Sequence, residues 1–407
     1  MTTRVFLKHR RSKPFWYGEP WVYDASIDRI KGRRDLKDGD LVELADHEGK
    51  AIGVGFFNSR SRIVVRLVSL GDAPVNDEII ARRVDRAISL RVETLRLQDD
   101  GTDAFRVIHA EGDGLPGLIV DQLGDILVCC FDSLGMRQFR DVILGVLKER
   151  LQPRTIVERF SRVAREEEGI EGTDGVIFGE EEHVVTTIRE LGIEHTVNVL
   201  LGQKTGYFTD QRDNRQFLAG LARGRRCLDA FCYTGGFSMA LEKIGGAQHV
   251  VAVDSSQPAL DVLTEDAARA GLTRQEPIKA NVLRHLDHAA KASERFSLVN
   301  LDPPKIVRRA KDLSKGLRLY HEINTKGLSV CEDGAIFATS SCSGAVSSDE
   351  FERMVAQAAF TAGVRVQLIH SAGAGPDHPV LVPHDRSRYL KFRAYRVFSL
   401  HRSNMGK

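Results

Sequence analysis

The stretch "RRCLDAFCYTGGFSMALEKIGGAQHVVAVD" at residues 225–254 decides the fold. It opens on a short apolar run ending at Asp229, passes through a Gly-rich turn, and continues into a segment with helical patterning. A second apolar run, "HVVAVD", closes on Asp254. Strand, turn, helix and strand in so short a span make a βαβ unit, which sets parallel strands side by side under covering helices. Farther on, "SLVNLDPP", "GAIFATSSC" and "RVQLIHS" are further short apolar runs, with helical patterns between most of them. Residues 191–407 are therefore expected to form an α/β domain with a parallel, doubly wound sheet.

Upstream the pattern differs. Residues 1 to about 72 read as short strands with polar turns, a compact β-barrel-like module whose hairpin turns fall at "DHEGK" (46–50) and "NSRS" (58–61). From Pro74, Ile79, Ile80, Val84, Ala87, Ile88, Arg91 and Leu95 recur near helical spacing, with Asn76 or Asp77 as N-cap. Strands broken by "EGDGLPG" and "QLGD" follow, then a helix around 136–150 and a strand at 155–159. The expected division is thus 1–73, a small β-barrel; 74–190, an α+β domain; and 191–407, the α/β domain.

Composition limits the function classes. Hydrophobic residues make up 42% and charged residues 28%, with a net charge of +2, the balance of a globular chain. No apolar run approaches the roughly 20 residues of a membrane span, and no export signal is visible, so a cytoplasmic protein without membrane partners is expected. Cys129, Cys130, Cys227, Cys232, Cys331 and Cys342 form no CxxC pair and no zinc-ligand spacing, so reduced thiols and no metal are expected. Residues 1–34 carry Arg4, Lys8, His9, Arg10, Arg11, Lys13, Arg29, Lys31, Arg33 and Arg34 against Glu19, Asp24 and Asp28, interleaved with Phe15, Trp16, Tyr17, Trp21 and Tyr23. Such a segment either meets phosphates and stacks bases or is a solvated basic face over a small core.

In an open α/β sheet, ligands bind beyond the carboxyl ends of the strands. Gly235 and Gly236 allow a tight turn after Asp229 and close ligand approach at a helix N-terminus. The arrangement is not the dinucleotide fingerprint, because its glycines sit late and an acid precedes the turn. A carboxylate at Asp229 suits a cationic amino-acid moiety better than a pyrophosphate, which favours S-adenosylmethionine over NAD. Asp254, ending the next strand, can accept both ribose hydroxyls. Asn281, in "KANVL", stands where its side-chain carbonyl could accept from the adenine amine. The candidate cofactor contacts are Asp229, Tyr233, Gly235, Asp254, Ser255 and Asn281.

Two further strand ends carry chemistry. In "NLDPPKIV" (300–307), consecutive prolines stiffen the backbone and hold Asp302 extended, where it could bond a nucleobase edge. In "ATSSCSGAVSSDEFERMV" (338–355), Ser347 and Glu350 make a capping-box pattern, so a helix begins there and Cys342 lies on the loop before it. Ser and Gly flanks on a loop suggest an accessible thiol rather than apolar filler. Carbon 5 of a pyrimidine is too poor a nucleophile to take a sulfonium methyl unaided. A thiolate adding at carbon 6 activates it, with Asp302 hydrogen-bonding the ring nitrogen or amine. No base for the carbon 5 proton is evident.

At these residues the sequence resembles the RlmI-like family of S-adenosylmethionine-dependent large-subunit ribosomal RNA cytosine-5 methyltransferases, over nearly the whole chain. "GEPWVYDASIDRIKG" (18–32) is similar to its N-terminal PUA domain, an RNA-binding module, and "GDGLPGLIVDQLGD" (112–125) and "EEHVV" (181–185) to its central domain. "GQKTGYFTDQRDNR" (202–215), "DAFCYTGGF", "VVAVDSS", "LDPPK", "SCSG", "PDHPV" and "YLKF" follow in the family's order. The resemblance implies a Rossmann-like class I methyltransferase domain, with Cys342 as nucleophile and Asp229, Asp254 and Asp302 at cofactor and base positions. It also implies that the Lys204–Arg212 stretch, including Tyr207, Phe208 and Asp210, borders the pocket, and that the substrate is RNA, with large-subunit rRNA expected. Asn281 stands where relatives commonly carry Asp, and "DLSKGLRLYHEIN" (312–324) departs from the family's pattern. Dimers are common in the family, so a homodimer is carried as an expectation.

Three other readings compete. Asp-Pro-Pro also suits methylation of a base nitrogen, which needs no cysteine. Uracil carbon 5 is closer in mechanism, although an acceptor at Asp302 fits cytosine's amine better. The third is an RNA-binding protein whose methyltransferase fold no longer catalyses, against which Asp229, Asp254, Asp302 and Cys342 together argue.

Overall fold

The computed structural model describes residues 3–32, 35–99 and 101–400. Arg33 and Arg34 of the N-terminal basic segment lie outside the described residues. The chain sorts into two compact units. The first takes the residues through Arg189 with Val197–Asp210 and Pro376–Ser387; the second takes Glu190–Thr196, Gln211–Gly375 and the residues from Arg388 on.

The first unit opens with β1 (Arg4–Leu7), β2 (Trp21–Tyr23), β3 (Ile27–Lys31), β4 (Leu41–Ala45), β5 (Ala51–Phe57) and β6 (Ile63–Leu70), ordered β2-β6-β5-β4-β1-β3. Alternation sends Val5, Leu7, Val42, Leu44, Ile52 and Val65 into one core. Asp46 closes the β4–β5 hairpin, its Oδ1 accepting from the amides of Glu48 and Lys50 at 3.0 and 2.9 Å. The aromatic residues of the basic segment divide. Phe15 is buried in the core, Tyr17 is 68% exposed, and Trp21 donates its indole N–H to Glu111 at 2.8 Å.

A helix at Asp77–Ser89 follows, capped by Asn76, whose side chain accepts from the Ile79 amide. It packs with a second sheet, β7 (Ala104–His109), β8 (Leu118–Leu123), β9 (Ile126–Phe131), β10 (Thr155–Glu158) and β11 (Gly175–Gly179), ordered β11-β10-β9-β8-β7. Arg91, at an apolar-face position of the helical pattern, is fully buried as a charge. Its guanidinium is satisfied there, donating to both Asp113 oxygens at 2.6 and 2.9 Å and to the Asp377 carbonyl at 2.7 Å. Asp377 in turn accepts from the Arg106 amide at 2.9 Å. Residues 376–387 thus return late in the chain to complete this unit. Gly112 meets them so closely that a Cβ there would lie 2.2 Å from the Pro379 carbonyl oxygen.

The hairpin β12 (Val185–Glu190) and β13 (Ile193–Asn198) leads on to the second unit. Its sheet comprises β14 (Arg226–Ala230), β15 (His249–Asp254), β16 (Gln275–Lys279), β17 (Phe296–Leu301), β18 (Cys331–Ser341), β19 (Val364–Ala372) and β20 (Lys391–Ser399), ordered β16-β15-β14-β17-β18-β20-β19. The strands from β16 to β18 are parallel, as expected, while β20 runs antiparallel between β18 and β19. Parallel pairing needs a crossover helix, and the chain between β19 and β20 forms none. The order reverses between β14 and β17, a switch point that opens a crevice at the strands' carboxyl ends.

Candidate active site

The loop after β14 is shaped by its backbone. Phe231, Tyr233 and Gly235 all take left-handed conformations, with φ of 65°, 51° and 80°. For Phe and Tyr such geometry is strained, and it persists where surrounding structure enforces it. Gly235 tolerates nothing larger, since a Cβ would lie 2.2 Å from Leu263 Cδ1. The chain then enters the helix Gly236–Lys243.

Asp229 lies beneath this loop and is only 1% exposed. Its Oδ2 accepts from the Ser238 hydroxyl at 2.5 Å and its Oδ1 from the Asn300 amide at 2.9 Å. Burial raises its pKa, while these bonds favour the ionised form. Asp229 is thus a satisfied, buried carboxylate rather than an open one. Asp254 is half-buried at the end of β15. Its Oδ2 accepts from the Tyr233 amide at 3.0 Å and its Oδ1 from the Ser256 amide at 2.9 Å, which ties the two strand ends together. Ser255 beside it is exposed. Asn281 is exposed and caps the helix Val282–Lys291, its carbonyl accepting from the Arg284 amide at 3.2 Å. That carbonyl is the group expected to meet adenine, so its first engagement is with the chain itself.

The donor set fits S-adenosylmethionine. Residues 229–237 and 250–257 contain no lysine or arginine, so nothing there balances a pyrophosphate. Acceptors at Asp229 and Asp254 suit an ammonium group and vicinal hydroxyls.

On the other side of the switch point, Leu301 pairs with Thr339, so Asp302 and Cys342 leave adjacent parallel strands at the same edge. Asp302 is half-buried, and its Oδ2 accepts from the Gln211 amide at 3.1 Å. Gln211 also donates to Ser340 Oγ at 3.3 Å and accepts from Asn214 at 2.6 Å, and both amides are buried. Of the six cysteines, five are buried and Cys342 is half-buried. Burial pushes the Cys227 thiol up to about 12 and that of Cys232, in the loop after β14, well above its ordinary value.

The residues flanking Cys342 are pinned. Ser341 donates to the Tyr320 hydroxyl at 2.9 Å, which also bonds Ser343 Oγ at 3.0 Å. Ser343 Oγ accepts from the Val307 amide at 3.0 Å, and its carbonyl accepts from Lys391 Nζ at 2.7 Å. Lys391 is 3% exposed, and desolvation lowers its pKa to about 8, partly countered by attraction to Cys342. Tyr320 is pushed up to about 12 by burial.

Gln211, Asn300, Tyr320 and Lys391 were not singled out from sequence. All four do lie within quoted runs, Gln211 in "GQKTGYFTDQRDNR", Asn300 in "NLDPPKIV", Tyr320 in "DLSKGLRLYHEIN" and Lys391 in "YLKF", and that is the only signal that could have found them. Tyr207 and Asp210 belong to the first unit, where both are buried and Tyr207 packs with Val197 and Val199. Among the described residues no cluster of His, Cys, Asp and Glu could hold a metal, and no helix is long and apolar enough to cross a membrane.

Comparison with known proteins agrees with this geometry. Residues 5–70 match the family model of a PUA-like domain, and residues 175–338 that of an S-adenosylmethionine-dependent methyltransferase. A solved structure from Streptococcus mutans, described as a SAM-dependent methyltransferase, superimposes with a TM-score of 0.82 at 19% identity, covering 97% of this chain and 100% of that one. A methyltransferase structure complexed with SAH gives the same values. The protein is an S-adenosylmethionine-dependent methyltransferase carrying a PUA-like domain.

Sequence relatives define the group more closely. The chain is 36% identical over 394 residues to ribosomal RNA large subunit methyltransferase I of Photobacterium profundum, covering 96% of this chain and 98% of the relative. It is 33% identical over 400 residues to the protein of that name in Escherichia coli O139:H28, covering 98% and 100%. It belongs to the ribosomal RNA large subunit methyltransferase I family.

Proposed function

We propose that this protein methylates carbon 5 of a cytosine in large-subunit ribosomal RNA, with Cys342 as covalent nucleophile. Family membership and the PUA-like domain support the RNA substrate. In this reading residues 1–73 dock RNA, residues 74–190 form a central domain, and the chain from 191 on carries the chemistry. The observation behind the covalent route is that the one cysteine not buried leaves β18 beside the strand that delivers Asp302.

Asp229, Tyr233, Gly235, Asp254, Ser255 and Asn281 would hold S-adenosylmethionine, which supplies an electrophilic methyl group. The Cys342 thiolate adds to carbon 6, forming an S–C bond and moving the ring's electron pair toward carbon 5. Asp302 accepts a hydrogen bond from the cytosine amine and, aimed by Gln211 and the two prolines, fixes the ring. Once carbon 5 is methylated, loss of its proton restores the double bond and expels the thiolate. The Lys391 ammonium favours the thiolate at the start and at its release.

The test uses RNA containing 5-fluorocytosine, whose carbon 5 has no proton to lose. A denaturation-resistant protein–RNA adduct that disappears in Cys342→Ala is expected. Asp302 followed by two prolines also suits methylation of a base amine. Cys342→Ala would then keep most activity, and bisulfite sequencing would show no protected cytosine.

A further inference from the structure

We infer that the exposed basic stripe from Arg308 to Arg318 holds the phosphodiester backbone of the substrate RNA beside the target base, an assignment that rests on the RNA reading above. Arg308, Arg309, Lys311, Lys315 and Arg318 are all exposed, and Asp312 is the one acid among them. The stripe follows Asp302 and Lys305 in the chain that leaves β17, the strand that delivers the acid.

None of these five cations makes an ion pair among the described residues, whereas several exposed arginines of the first unit do. Arg82 pairs with Glu78, Arg96 with Asp99, Arg154 with Glu180 and Arg162 with Glu166. The chain as a whole carries only +2, so the stripe is a local choice and not a by-product of general basicity. Lys311 lies in the short turn Ala310–Asp312, and Lys315 and Arg318, three residues apart in the helix Leu313–Ser329 that follows, put like charges on one face. That arrangement is unfavourable until a polyanion neutralises it.

The stripe ends at a surface groove of about 610 Å³ between this helix and the helix Ser348–Ala362. Arg318, His321 and Arg353 line its walls, with Leu317 and Met354 as apolar contacts. Its one acid, Glu350, is already engaged by Ser347 in the capping box. Cations along a line that end in a part-apolar groove suit a single strand, whose phosphates are tracked while a flanking base is received.

The test compares wild type with Arg308→Gln/Arg309→Gln/Lys311→Gln on large-subunit rRNA transcribed in vitro, by filter binding across a salt series. The variant should bind about tenfold or more weakly, with a log K against log salt slope shallower by about 2. Its affinity for S-adenosylmethionine should be unchanged and its kcat at saturating RNA near wild type, with the loss carried by KM. Arg82→Gln/Arg96→Gln/Arg162→Gln removes equal charge from the first unit and should leave the slope intact. Equal affinity and slope in the stripe variant and wild type would overturn the assignment, as would an equal loss in the control. Wild type that binds no rRNA sinks the RNA reading itself, and the stripe with it.

Discussion

Neighbouring stretches of one sheet edge treat their polar groups in opposite ways. After β14 and β15 the chain bonds its own carboxylates, Asp229 through Ser238 and Asn300, and Asp254 through the amides of Tyr233 and Ser256. After β17 and β18 it is the supports that are buried, Gln211, Ser341, Ser343 and Lys391, while Asp302 and Cys342 stay partly open. The first region is a curled loop held in strained backbone; the second sets a half-buried acid and thiol on a base of buried polar contacts. Substitutions in the first should thus disturb binding and stability, and in the second turnover or its pH dependence.

The largest effect should come from Cys342→Ala, with methyl transfer to rRNA falling at least about a thousandfold while S-adenosylmethionine still binds. Radiolabelled methyl transfer alongside calorimetric titration separates the two. Asp302→Asn should lower kcat by about a hundredfold and leave the melting temperature close to wild type. A matching loss of stability would group Asp302 with the first region.

Gly235→Ala tests the other region. A left-handed Ala against Leu263 should cost about 2–4 kcal/mol in denaturant unfolding and weaken cofactor binding. Lys391→Met sharpens the contrast through pH. The lysine carries its charge below about 8 and loses it above, so its support of the thiolate is present at neutral pH and fades as pH rises. The variant's adduct-formation profile should shift upward by about one unit, leaving it roughly tenfold slower near pH 7. An unshifted profile would leave Lys391 a purely structural donor to Ser343 and Tyr389. Smallest is Asn281→Ala, where loss of the cap should cost about 0.5–2 kcal/mol. An additional drop in cofactor affinity would show that the residue also serves the ligand.

The sequence carried much of this because the informative features are local. Apolar runs ending in Asp229, Asp254, Asp302 and Cys342 announce strand ends, and Ser347 with Glu350 announces the helix that leaves Cys342 on a loop. Arg91 shows the limit of periodicity, which placed it on the buried face but not the acid and carbonyl that receive it. Gln211, Asn300, Tyr320 and Lys391 escaped notice because their roles depend on partners far along the chain. The antiparallel insertion of β20 between β18 and β19 is equally silent in any short window.

The return of residues 376–387 to the first unit bears on how the chain is made. Synthesis proceeds from the N-terminus, yet Arg91 and the Arg106 amide wait for Asp377, encoded near the far end. The N-terminal unit therefore lacks these two acceptors until residues 376–387 have been synthesised. A fragment cut at residue 190 would lack the Asp377 carbonyl that Arg91 uses and should be less stable than the same unit in the full chain.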